Sequence, residues 1–128
     1  MGLILKIPIY NFKFKLVLVD NVRDYILENK IYDICSDGYK VLVIDLTESN
    51  NGYDCLVVFS EEAIKGNIIA HEAFHIAALA LKTRGVQLCN ESEEAYAYLI
   101  DYLYKVLALQ LLKLKQEKNG NTDTSKEI

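Results

Sequence analysis

The feature that most constrains this chain is a change of hydrophobic period at Ser60. Before it, Phe12, Phe14 and Leu16 alternate with Lys13 and Lys15, the period-two signature of a strand with one wet face; Val17-Leu18-Val19 suits a deeper end. Pro8 makes the preceding run an edge strand or a lead-in. Val41–Thr47 and Tyr53–Phe59 read as two more strands, and Asn50-Asn51-Gly52 between them predicts a hairpin with a loop longer than two residues. One short helix breaks this series, capped by Asp20 and reaching about Asp33, with Val22, Tyr25 and Ile26 as its apolar stripe. Ser36-Asp37-Gly38-Tyr39 is a turn signal.

After Ser60 the apolar residues recur at helical spacing. Ser60 is a candidate N-cap, and Glu61 and Glu62 suit the positive end of a helix dipole. Gly66-Asn67 interrupts, with Asn67 capping a second segment that runs to about Arg84 and stops at Gly85. A last helix is predicted from Asn90 to about Lys115. Strands first and helices after them predict an α+β domain, with a small, mainly antiparallel sheet packed on two long helices. At 128 residues the chain has the size of one domain, placed at 1–115, and the polar residues 116–128 read as a disordered tail.

Composition narrows the function classes. A formal net charge of −4 argues against a protein that wraps nucleic acid or coats an anionic membrane, so neither partner is expected. The longest apolar stretch, Ile68 to Leu81, holds His71, Glu72 and His75 and is too short to span a bilayer. Met1 to Tyr10 lacks a basic start, and Lys6 and Pro8 interrupt its apolar run, so no leader is expected. Cys35, Cys55 and Cys89 are an odd number with no C-x-x-C pair, as in reduced thiols of a cytoplasmic protein.

The sharpest chemical signal is His71-Glu72-Ala73-Phe74-His75, an H-E-x-x-H on a predicted helix. Residues four apart share a face one turn apart, so both imidazoles reach one cation. Glu72 is rotated by about 100° from His71, which places its carboxylate beside a metal rather than on it. There it can take a proton from an attacking water as the general base of zinc hydrolysis. These are the chain's only two histidines. Both falling four apart around a glutamate is expected by chance on the order of once in several hundred such chains. Ile68, Ile69, Ala70, Phe74, Ile76 and Ala77 are read as residues that bury the helix and dry the site.

A catalytic zinc takes three protein ligands and keeps one position open. With both histidines used, the third must be Glu91, Glu93, Glu94, Asp101 or Cys89. Asn90 as N-cap would put Glu93 at the third helical position and occupy it in a capping box, leaving Glu94 free. Tyr98 and Tyr102 lie one and two turns beyond Glu94, where a phenol could stabilise a developing oxyanion; the other reading makes them amphipathic core residues. Asp101 is either an acceptor for a ligating histidine N–H or a solvated carboxylate.

His71-Glu-Ala-Phe-His75, eighteen residues and then Glu94 resembles the zinc-binding pattern of gluzincin metallopeptidases. The wider block, Ile69-Ala-His-Glu-Ala-Phe-His75 followed by Glu94-Ala-Tyr-Ala-Tyr-Leu99, also resembles small metallopeptidases encoded by bacteriophages and mobile elements. The resemblance covers residues 68 to 103 and implies a zincin-like fold. It also implies one zinc on His71, His75 and Glu94, with Glu72 as base. The expectation is a zinc-dependent hydrolase acting on a peptide or protein, in the host bacterial cytoplasm if phage-encoded. The alternative is a catalytically silent, zinc-stabilised protein that binds a host or phage partner.

Overall fold

The structure is a computed structural model that describes residues 2–30, 40–49 and 51–127, with side chains described through residue 119. Its strands are β1 (Gly2–Ile7), β2 (Phe12–Val19), β3 (Val41–Asp45) and β4 (Cys55–Ser60); its helices are α1 (Val22–Glu28), α2 (Gly66–Thr83) and α3 (Glu93–Glu127). They form an α+β arrangement around one sheet with strand order β1-β2-β4-β3. The predicted turn at 36–39 and Cys35 lie outside the described residues.

The sheet is mixed, which corrects the expectation of a mainly antiparallel one. β1 pairs with β2 and β3 with β4 in antiparallel fashion, but the central pair, β2 with β4, is parallel. Helix α1 lies on the sheet face opposite α2 and α3, with Val22 and Ile26 clustered against Val17, Leu56 and Val58. With both faces covered, all six residues of β4 are buried, and the strand reads as a continuous apolar run. The same cover buries Val17 of β2 although Phe14, Leu16 and Leu18 face the other way. The β3–β4 hairpin forms as expected, with residues 46–54 as its long connection. The carboxylate of Asp45 ends β3 by accepting the Thr47 N–H at 2.9 Å and the Thr47 hydroxyl at 2.6 Å.

On the larger face, Phe12, Phe14, Leu16 and Phe59 meet Ile76 and Leu81 of α2 and Leu103 and Leu107 of α3, all fully buried. Each such side chain contributes about 1.5–3 kcal/mol. The helix ends differ from expectation in informative ways. Asn21, not Asp20, caps α1 by accepting the Asp24 N–H at 3.1 Å. That helix stops at Glu28, short of Asp33. The hydroxyl of Ser60 donates to the Lys40 carbonyl at 2.9 Å rather than capping, and only a short 3₁₀ turn, Glu61–Ala63, follows it.

Helix α2 starts at Gly66 with Lys65 in the cap position, so Asn67 sits in its first turn instead of capping it. Its C-terminus is closed by a Schellman motif: Val86 N–H donates to Leu81 O at 2.9 Å and Gly85 N–H to Lys82 O at 3.0 Å, with Gly85 at φ 79°. Arg84 ties this end to the β1–β2 turn by donating to the Tyr10 and Asn11 carbonyls at 2.7 and 2.8 Å. Helix α3 begins at Glu93 and continues past Lys115, where a tail was expected. Lys118 pairs with Asp20 and, at 3.2 Å, with Glu61, which fastens that part of the helix to the end of β2. No helix among the described residues is long and apolar enough to cross a membrane.

Candidate metal centre

Helix α2 buries Ile69, Ala73, Ile76, Ala77, Ala80 and Leu81 against the sheet and α3. At 100° per residue, His71 and His75 fall on the opposite side of the helix, and both are exposed. Their Nε2 atoms face each other at 3.1 Å, with the rings edge to face at 74° and 4.7 Å between centroids. Two lone pairs aimed into one space are favourable only around a shared proton or a cation. Two nitrogens bound to one zinc at about 2.0–2.1 Å and a tetrahedral angle lie about 3.3–3.4 Å apart, so the pair is within a few tenths of an ångström of a ligating geometry.

Glu72 completes the group: ligand atoms of His71, Glu72 and His75 all lie within 4.8 Å of one another. Its carboxyl is half-buried, and burial pushes it above the ordinary carboxylate range, while His71 and His75 pull it back in part. A raised carboxyl beside a histidine pair is suited to accepting and releasing a proton.

The three residues line a cleft of about 810 Å³ whose other wall is β3, with Val41, Val43 and Asp45. β3 is the last strand of the sheet. At its ends, Ser60 N–H donates to Lys40 O and Leu46 N–H to Asp54 O, each at 2.9 Å. Antiparallel alternation then turns the N–H and C=O groups of Val41, Val43 and Asp45 away from β4, toward the free edge. Among the described residues no backbone group pairs with them. The site is thus a histidine pair beside an open strand edge. It is less enclosed than the flanking residues suggested, since Ala70 and Phe74 are exposed.

Other candidate residues stand apart from this group. Glu94 is exposed in the first turn of α3, uncommitted to any side-chain hydrogen bond or ion pair among the described residues, and outside the His71–Glu72–His75 cluster. Glu93 also lies in that first turn, because the helix starts there and not at Asn90. The capping box that would have occupied Glu93 is therefore absent. Ser92 organises the loop instead, accepting the Cys89 N–H at 3.1 Å and donating to the Gln87 carbonyl. The Ser92 hydroxyl, 3.5 Å from the Cys89 Sγ, and the Ser92 backbone N–H lower the Cys89 thiol from its ordinary value.

Asp101 is held by Lys105 at 3.1 Å. Tyr98 is 72% exposed and, with Tyr102, lines a different, apolar cleft against Ile7, Pro8 and Tyr10. Neither tyrosine is a wall of the histidine cleft. The cleft residues that the sequence did not assign to the site are Asn67, which lines the cleft beside His71, and the β3 wall. β3 was legible as a strand, but nothing local marked it as the strand beside the motif. No family model, curated protein or solved structure matches the chain.

Proposed function

We propose that the protein is a zinc-dependent hydrolase of peptide bonds, with His71 and His75 as two zinc ligands and Glu94 as the third. The observation that carries this reading is the Nε2 pair at 3.1 Å, with the ligand atoms of His71, Glu72 and His75 all within 4.8 Å of one another. Two imidazoles and a carboxylate are a zinc donor set of the catalytic type. Glu94 is given the third place by the resemblance of its spacing to the gluzincin pattern and by its uncommitted carboxylate, though it lies outside the His71–Glu72–His75 cluster.

When bound, the zinc would polarise the attacking water and the scissile carbonyl. The chain's own residues do the rest. His71 and His75, which line the cleft, would hold the ion. The carboxylate of Glu72 takes a proton from the attacking water as its oxygen bonds to the carbonyl carbon, then gives that proton to the amine nitrogen as the C–N bond breaks. The outward N–H and C=O groups of Val41, Val43 and Asp45 can receive an extended polypeptide as an added strand, which favours a peptide over a compact small molecule.

The test is Glu72→Gln, which keeps the size of the side chain and removes its basicity. Zinc content should stay as in the wild type, while cleavage of a peptide library should fall by about 10²–10⁴-fold. Zinc bound without cleavage by the wild type, together with a biological effect that persists in Glu72→Gln, would replace this reading with that of a silent, zinc-stabilised binding protein.

A further inference from the structure

Helix α3 carries two apolar stripes. One, built on Tyr96, Leu99, Leu103, Leu107, Leu111 and Leu114, is buried against the sheet and α2. About half a turn away run Tyr98, Tyr102, Lys105, Leu109 and Leu112, spaced 4, 3, 4 and 3, which is a heptad seam. The apolar members of this seam are exposed: Tyr98 by 72%, Leu109 by 52%, Leu112 by 51% and Tyr102 by 40%. At its N-terminal end the stripe continues into the apolar cleft of about 430 Å³ beneath Ile9, itself 87% exposed. An exposed apolar stripe of this kind, interrupted by Lys105, marks an interaction site, and the seam spacing specifies that the partner is a helix.

The charges along α3 identify which helix. Its N-terminal part carries Glu93, Glu94 and Asp101 without a basic residue, and Glu91 lies just before it; Lys105, Lys113 and Lys115 follow toward the other end. A helix with acid at one end and base at the other complements itself when it is reversed.

We infer that this face of α3 docks antiparallel against the same face of a second copy of the chain. Reversal about the level of Leu107 sets Tyr102 opposite Leu112 of the second copy and Tyr98 opposite its Gln116. The aliphatic stem of Lys105 then lies against Leu109, with its ammonium kept at Asp101. Asp101 lies at the flank of the seam, beside Lys115 of the second copy. Parallel docking would place acid on acid and base on base. The interface shares no residue with the walls of the histidine cleft, so each copy keeps its cleft open.

Sedimentation of the full chain across the micromolar range tests this. A reversible dimer is expected, weakened by raised salt. Leu109→Glu should leave a monomer with unchanged circular dichroism. Asp101→Lys and Lys115→Asp should each weaken the dimer about tenfold, and the two together should restore it to within about threefold. A protein that stays monomeric throughout, a dimer indifferent to Leu109→Glu, or two charge reversals that add instead of compensating would overturn the inference.

Discussion

Gly85 closes α2 in a conformation that only glycine adopts without strain, and this yields a quantitative prediction for the segment that leads from the histidine helix to Glu94. Its φ is 79°, and a Cβ built there would meet nothing within 4 Å. The cost of Gly85→Ala is therefore backbone strain alone, about 1–2 kcal/mol for an L-residue in the left-handed region. Alanine also restricts the unfolded chain, which offsets roughly 0.4–1 kcal/mol. The net loss should be about 1 kcal/mol. With a urea dependence of about 2 kcal/mol per M, the unfolding midpoint should drop by about 0.5 M at unchanged slope. Gly85→Asn should lose less, because asparagine tolerates this region better than alanine. Gly52, at φ 85° and equally open, should respond to alanine in the same way. Wild-type stability in Gly85→Ala, or a larger loss for asparagine than for alanine, would refute the reasoning.

Two further outcomes are expected. Cys55 is fully buried, and burial, with Asp45 and Asp54 adding to it, pushes its thiol up to about 12; the Cys89 thiol is exposed and lowered by Ser92. Since the thiolate is the nucleophile, brief alkylation of the folded protein at neutral pH should label Cys89 and spare Cys55 until denaturant is added, as read by peptide mass mapping. Glu94→Ala should weaken zinc binding far more than Glu93→Ala, as measured by competition with a chelator; equal loss in both, or loss only in Glu93→Ala, would show that the wrong carboxylate was chosen.

Much of the fold was legible because the hydrophobic period is local. The change at Ser60 separates strands from helices, and the stop at Gly85 needs only one residue with positive φ. The parallel pairing of β2 and β4 was not legible. A run such as Cys55–Ser60, buried on both faces, carries no alternation that would reveal its cover, and strand direction depends on how α1 crosses the sheet. Caps were misplaced by one or two residues where neighbouring polar side chains compete. Asp20 is taken by Lys118 while Asn21 caps, and Ser92 precedes α3 where Asn90 was expected.

Composition could not show that Lys118 is held by acidic groups far away in sequence. At the candidate site, helical spacing alone brought His71, Glu72 and His75 together. The β3 wall is a tertiary neighbour with no signature in the strand itself, and the position of Tyr98 beside the β1–β2 turn follows from how α3 lies on the sheet.

The central claim is that the His71–His75 pair is a metal site, and the most direct measurement is the zinc content of the untagged protein beside that of the His71→Ala, His75→Ala variant. About one zinc per chain is expected in the wild type and none held tightly in the variant, with both proteins folded. A wild type that binds no zinc, or a variant that retains one zinc per chain, would contradict it.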